Sequence, residues 1–145
     1  MEKNIYLIST TLYLRGEFLI PEKVTERLIV EPTKAYQKGD LLLSPSSDKK
    51  SFRKMGIWAL EKVGKSSSTK MVSEQLNDIL GKLERWDPAI IQECLVEDYY
   101  VDIYLAVNCK DVFSGSCTFF LNQNDIEWLS KFNFSLNVTI ETVQE

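Results

Sequence analysis

Histidine is absent from the 145-residue chain. That removes the side chain most often used as a general acid or base near neutral pH, and the commonest metal ligand. Cysteine is scarce: Cys94, Cys109 and Cys117 form an odd set with no C-x-x-C spacing. They argue against a zinc knot or a redox pair and suit the reduced thiols of a cytoplasmic protein. No apolar run is long enough to span a membrane. The N-terminal run is broken by Ser9, Thr10 and Thr11, and no small-residue cleavage site follows it. Positive charge is in deficit, 17 Lys and Arg against 21 Asp and Glu, for a net charge of −4. Affinity for nucleic acid comes largely from Lys and Arg on phosphates, so direct nucleic-acid binding is not expected. An acidic surface suits a partner that is itself basic.

What remains is ordinary globular material, 44% hydrophobic and 26% charged, with three Trp, six Tyr and seven Phe. That is enough for one self-sufficient core, and the expectation is a single α+β domain over 1–145. Residues 5–14 are rich in Ile, Leu, Tyr and Thr and read as a strand that Gly16 ends. "IPEKVTERL" reads as a helix with Pro21 in its first turn, Val24 and Leu28 on one face, and Pro32 as its stop. "LLLSPSSDKKSFRK" reads as a loop, and the basic run 49–54 within it as solvated. "MGIWALEKV" is a second strand, with Trp58 placed in the core. "GKSSSTK" reads as a link into a helix capped by Ser68 or Thr69, and Val72, Leu76, Ile79, Leu80 and Leu83 then recur at helical spacing. After another turn or two of helix near Pro88, "YYVDIYLAV" and "GSCTFFL" read as strands. "NQNDIEWLSKF" reads as a helix capped by Asn122 or Asn124. "FSLNVTIETV" alternates Phe134, Leu136, Val138 and Ile140 against polar residues, as a half-buried strand does.

The order implies helices packed on one face of a mostly antiparallel sheet. "FLIPEKVTERL" and "FLNQNDIEWL" resemble each other in outline. A duplicated split-βαβ, ferredoxin-like plan is therefore one form the sheet could take.

Candidate chemistry is thin. Gly64-Lys65-Ser66 lies between strand and helix, but a phosphate loop needs an earlier glycine where Ala59 stands. Cys109 and Cys117 have no histidine to activate them and read as small buried hydrophobes in or beside apolar strands. Carboxylates concentrate at Glu93, Glu97, Asp98 and Asp102, and such groups alone can carry acid–base chemistry, but nothing in the spacing makes two of them converge. No catalytic residue, metal ligand or cofactor site is assigned, and a non-enzyme is expected. The same stretch reads better as a contact surface. Alternation puts Val101, Ile103, Leu105 and Val107 on one strand face and Tyr100, Asp102 and Tyr104 on the other. Tyr supplies contact area at low entropic cost, and acids steer a basic partner. The candidate partner-binding set is Glu93, Glu97, Asp98, Tyr100, Asp102 and Tyr104.

Gly16, Phe18, Pro21, Val24, Thr25, Leu28, Val30, Pro32 and Thr33 are followed by Lys38-Gly39-Asp40 and then by Gly56-Ile57-Trp58. That order resembles a widespread bacterial domain-of-unknown-function family. The likeness covers about the first 90 residues well and the rest in outline. Some members resemble the immunity proteins of contact-dependent growth inhibition systems, of the CdiI type. The resemblance implies a cytoplasmic immunity protein that binds and neutralises one cognate toxin domain, a basic nuclease acting on RNA such as tRNA. No cofactor, membrane association or direct contact with nucleic acid is expected. The alternatives are a non-catalytic binding module for a small ligand or another protein, and a carboxylate-based enzyme.

Overall fold

The computed structural model describes residues 5–42, 50–108 and 118–143. Its elements are strands β1 (Ile5–Gly16), β2 (Lys34–Tyr36), β3 (Leu41–Leu42), β4 (Ser51–Phe52), β5 (Gly56–Ser66), β6 (Asp98–Asn108) and β7 (Ser135–Val143). The helices are α1 (Pro21–Leu28), α2 (Met71–Leu80), α3 (Ala89–Glu93) and α4 (Gln123–Phe132). Five strands form one sheet in the order β2-β5-β1-β6-β7, and β3 and β4 form a separate two-stranded ribbon. The fold is mixed α+β with a mostly antiparallel sheet. Strands β6 and β7 run parallel, from Tyr100↔Ser135 to Asn108↔Val143. A parallel pair needs a crossover connection, which contains α4. The two similar-looking ends of the sequence therefore pair differently: α1 leads to the short β2, antiparallel to β5, whereas α4 leads to a strand parallel to β6.

The chain divides into two compact units. One comprises 1–12, 61–82 and 100–145, the other 13–60 and 83–99. In the first, α2 and α4 pack together. Val72, Leu76, Ile79 and Leu80 of α2 are buried, as are Ile8 and Leu12 of β1, Val101, Ile103, Leu105 and Val107 of β6, and Leu129 and Phe132 of α4. Two buried polar groups satisfy each other there. Thr10 Oγ1 donates to Gln75 Oε1 at 2.9 Å, and Gln75 Nε2 donates to the Ile8 carbonyl at 2.9 Å. Buried polar atoms need such partners.

In the second unit α1 starts with Pro21, whose fixed φ suits the first helical position, and buries Pro21, Val24 and Leu28 on one face. Trp58 is fully buried, and its indole Nε1 donates to Thr25 Oγ1 at 3.0 Å. Gly16 is required by a close approach: a Cβ there would stand 2.4 Å from the Leu95 carbonyl oxygen. The turn at Gly39 holds φ at 93°, a conformation that costs glycine little.

Several elements differ from the sequence reading. Residues 41–42 and 51–52, read as loop, pair as β3 and β4. Strand β5 runs on through Gly64-Lys65-Ser66, so those residues make no phosphate loop, and Gly64 is packed against Met71. Neither Ser68 nor Thr69 caps α2. Its N-cap is Lys70, with no side-chain cap, and Thr69 Oγ1 donates to the Thr118 carbonyl instead. The strand expected from Gly115 begins outside the described residues, and 118–122 are not strand. Cys109 and Cys117 also lie outside them, while Cys94 is a buried free thiol. Strand β7 is present, but its apolar side is largely uncovered: Phe134, just before it, is buried, whereas Val138 is 42% exposed and Ile140 46%. The alternation was right about pairing and wrong about burial, because β7 is the last strand of the sheet order.

Candidate functional site

Strand β6 presents the candidate surface. With Val101, Ile103 and Leu105 buried on one side, Tyr100, Asp102 and Tyr104 project from the other and are half-buried. The parallel register carries this face onto β7: Tyr100 lies beside Ser135, Asp102 beside Asn137 and Tyr104 beside Thr139. All three β7 residues are exposed, and so is Glu141 on the same alternation. The Tyr104 hydroxyl donates to Glu141 Oε2 at 2.7 Å, tying the two strands together at the surface. The result is a shelf of aromatic rings and hydrogen-bonding groups with two carboxylates.

The electrostatics of this shelf follow from its partial burial. Desolvation pushes the Asp102 carboxyl above the ordinary aspartate range. The Tyr104 phenol is also pushed up, first because it donates to the Glu141 carboxylate, then by desolvation and by repulsion from that charge. Tyr104 is therefore a fixed neutral donor, and Asp102 is a charge held at some cost.

The other three sequence candidates belong to the second unit, and two of them are already engaged. Glu93, at the end of α3, receives Arg27 Nε at 3.0 Å, and Arg27 also reaches Asp87 at 3.7 Å. Glu97 Oε1 accepts the Glu17 backbone amide at 3.2 Å. Asp98 opens β6 and is exposed. Tyr100, Asp102 and Tyr104 thus share one face, Glu93 and Glu97 serve local structure, and Asp98 adds exposed charge. Strand β7 supplies residues that sequence reasoning missed: Ser135, Asn137, Thr139 and Glu141. Their alternation was visible, but sequence alone does not tell which strand lies beside β6.

A second surface was missed altogether. The Lys38-Gly39-Asp40 turn and residues 50–54 meet through main-chain bonds. Gly39 N donates to the Arg53 carbonyl at 2.8 Å, and Arg53 N donates to the Asp40 carbonyl at 2.8 Å. The turn closes on itself as Gln37 N donates to Asp40 Oδ2 at 2.7 Å. Lys38, Phe52, Arg53 and Lys54 consequently line one cleft with Glu17.

One more carboxylate stands apart. Asp125 is fully buried, with Oδ2 accepting from Ser73 Oγ at 2.6 Å and from the Asn122 amide at 3.0 Å. Its own amide donates to Asn122 Oδ1, so it completes a capping box at the start of α4. Among the described residues no three His, Cys, Asp or Glu side chains gather as a metal site, and no helix is long and apolar enough to cross a membrane.

No curated protein and no solved structure matches the chain. A family model does, over residues 6–143, which include both the opening proline-and-glycine segment and the β6–β7 shelf. The chain belongs to the family described as domain of unknown function DUF4279.

Proposed function

We propose that this chain is an immunity protein of a contact-dependent growth inhibition system. It acts in the cytoplasm by binding one cognate toxin domain, a basic nuclease acting on RNA, and breaks no bond itself. The observation that carries the reading is the β6–β7 shelf. Tyr100, Asp102 and Tyr104 stand half-covered on an open strand face beside exposed Ser135, Asn137 and Thr139, where an ordinary core would place apolar residues. Rigid aromatic area with adjacent hydrogen-bonding groups is what protein interfaces enrich. The net charge of −4 would attract a basic domain, and Asp102 and Glu141 put carboxylates on that face.

The test is co-expression with a toxin domain encoded next to this chain's gene, followed by affinity measurement. The wild type is expected to rescue growth and form a stable complex. The double variant Asp102→Asn/Glu141→Lys is expected to bind at least about tenfold more weakly, a loss of about 1.4 kcal/mol. Unchanged affinity in a folded double variant would remove the shelf from the contact surface. Failure to rescue against every neighbouring toxin would remove the function.

A further inference from the structure

Two helices of the second unit end on residues that fit their backbone badly. Ile29 after α1 has φ 55°, and Leu95 after α3 has φ 59°. This left-handed position usually belongs to glycine or asparagine, and α4 does end on Asn133 there. An ordinary L side chain costs about 1–2 kcal/mol in it. Burial does not offset that cost at Leu95, which is 48% exposed. The backbone itself is fixed by Val96 N donating to the Ile91 carbonyl at 2.9 Å and by the close approach of Gly16. The geometry calls for a small residue, and the chain instead displays a large apolar one.

Leu95 has an exposed neighbour. Phe18 is 61% exposed, and the two line a groove of about 370 Å³ with Ile91 and Val96. The wall Glu17–Phe18 separates this groove from the cleft of Lys38, Phe52, Arg53 and Lys54, about 600 Å³. Lys38 is ion-paired with Glu17 and sits 4.9 Å above the Phe18 ring. The Arg53 guanidinium lies 3.9 Å over Tyr36, which holds it in place without neutralising it. Among the described residues no carboxylate pairs with Arg53 or Lys54. An apolar trough therefore adjoins a preorganised positive cleft on a protein of net negative charge.

We propose that this surface docks an acidic peptide segment of a partner protein, with apolar side chains on Phe18 and Leu95 and carboxylates on Arg53 and Lys54. Charge complementarity selects the acid, because planar guanidinium takes carboxylate in a two-point contact. The trough selects a peptide over a nucleic acid, since a phosphate backbone gains nothing from the apolar lining of Phe18, Ile91 and Leu95. The proposal is independent of the toxin-binding reading, which rests on negative charge and other residues.

The test is a nuclear magnetic resonance titration of the isotope-labelled full chain. Three probes are used: a capped hexapeptide alternating glutamate with leucine, the same peptide with lysine for glutamate, and a single-stranded oligothymidylate. The glutamate peptide is expected to shift the amides of Phe18, Arg53, Lys54 and Leu95, and the other two probes to leave them in place. Arg53→Glu/Lys54→Glu is expected to weaken the interaction at least tenfold. Leu95→Gly is expected to raise the melting temperature while weakening the interaction. Ile29→Gly, which also relieves a left-handed residue but lies outside the groove, is expected to raise the melting temperature and leave the interaction intact. No shift with the glutamate peptide would overturn the proposal. So would equal shifts with the lysine peptide or the oligonucleotide, unchanged affinity in Leu95→Gly, or a loss of stability in that variant.

Discussion

At the scale of single residues, Asp102 shows how a surface group can be retained against its own stability. Its carboxyl is harder to ionise in the folded chain than in the unfolded one because burial strips water from the charge. Between the ordinary and the raised pKa the folded state holds more protons. Stability therefore falls as pH rises through that window, and the penalty is complete at neutral pH. Asp102→Asn removes it. The variant is expected to melt higher than wild type at neutral pH, with the gap closing as pH falls into the ordinary aspartate range; thermal scans across that range check it. A gap independent of pH would mean that the change acts through packing. Trp58 offers the opposite case, a residue whose cost of removal is read directly from its contact. Trp58→Phe vacates buried volume and leaves Thr25 Oγ1 without its indole donor. The expected loss is about 2 kcal/mol by chemical denaturation.

At the scale of elements, the helices were the most legible. Pro21 with Val24 and Leu28, and the run Val72, Leu76, Ile79, Leu80 and Leu83, repeat at helical spacing, and every one of those side chains is buried. Helical spacing is a local signal, complete within the segment that carries it. The capping box of α4 was half visible, since either Asn122 or Asn124 could have capped it; Asn122 does, with Asp125 reaching back. Asn122→Ala is expected to cost about 1 kcal/mol, measured by denaturant unfolding. Ser73 should register the change, because its hydroxyl bonds the same Asp125 carboxylate. Strands were less legible, because their burial is decided by neighbours far away in sequence. Val138 and Ile140 alternate correctly yet stay exposed, and β3 and β4 exist only through their pairing with each other. The cleft at Lys38 and Arg53 escaped sequence reading for the same reason: bonds between positions 39 and 53 assemble it.

At the scale of the whole molecule, the α+β class and mostly antiparallel sheet followed from the order of elements, whereas the strand order and the parallel β6–β7 pair did not. Of the candidate site, Tyr100, Asp102 and Tyr104 share the face that alternation gave them, while the β7 half of the shelf came only with the fold. Net charge acts at this scale too. If the partner is a basic domain, its association rate should fall several-fold as salt rises from about 0.01 M to about 0.15 M, where the screening length shrinks from roughly 30 Å to roughly 8 Å. Dissociation should change little, and stopped-flow mixing separates the two. A salt-insensitive association rate would count against steering.

The Cys94 thiol has a practical consequence of its own. It is buried, and its pKa is raised by desolvation and by the Glu93 charge against the opposing pull of Arg27 and Lys23, so it is both hidden and poorly nucleophilic. An alkylating reagent can reach it only when the segment around α3 comes apart. The rate of modification at that one position, read by peptide mass mapping, is therefore a built-in clock for how often this part of the chain breathes open.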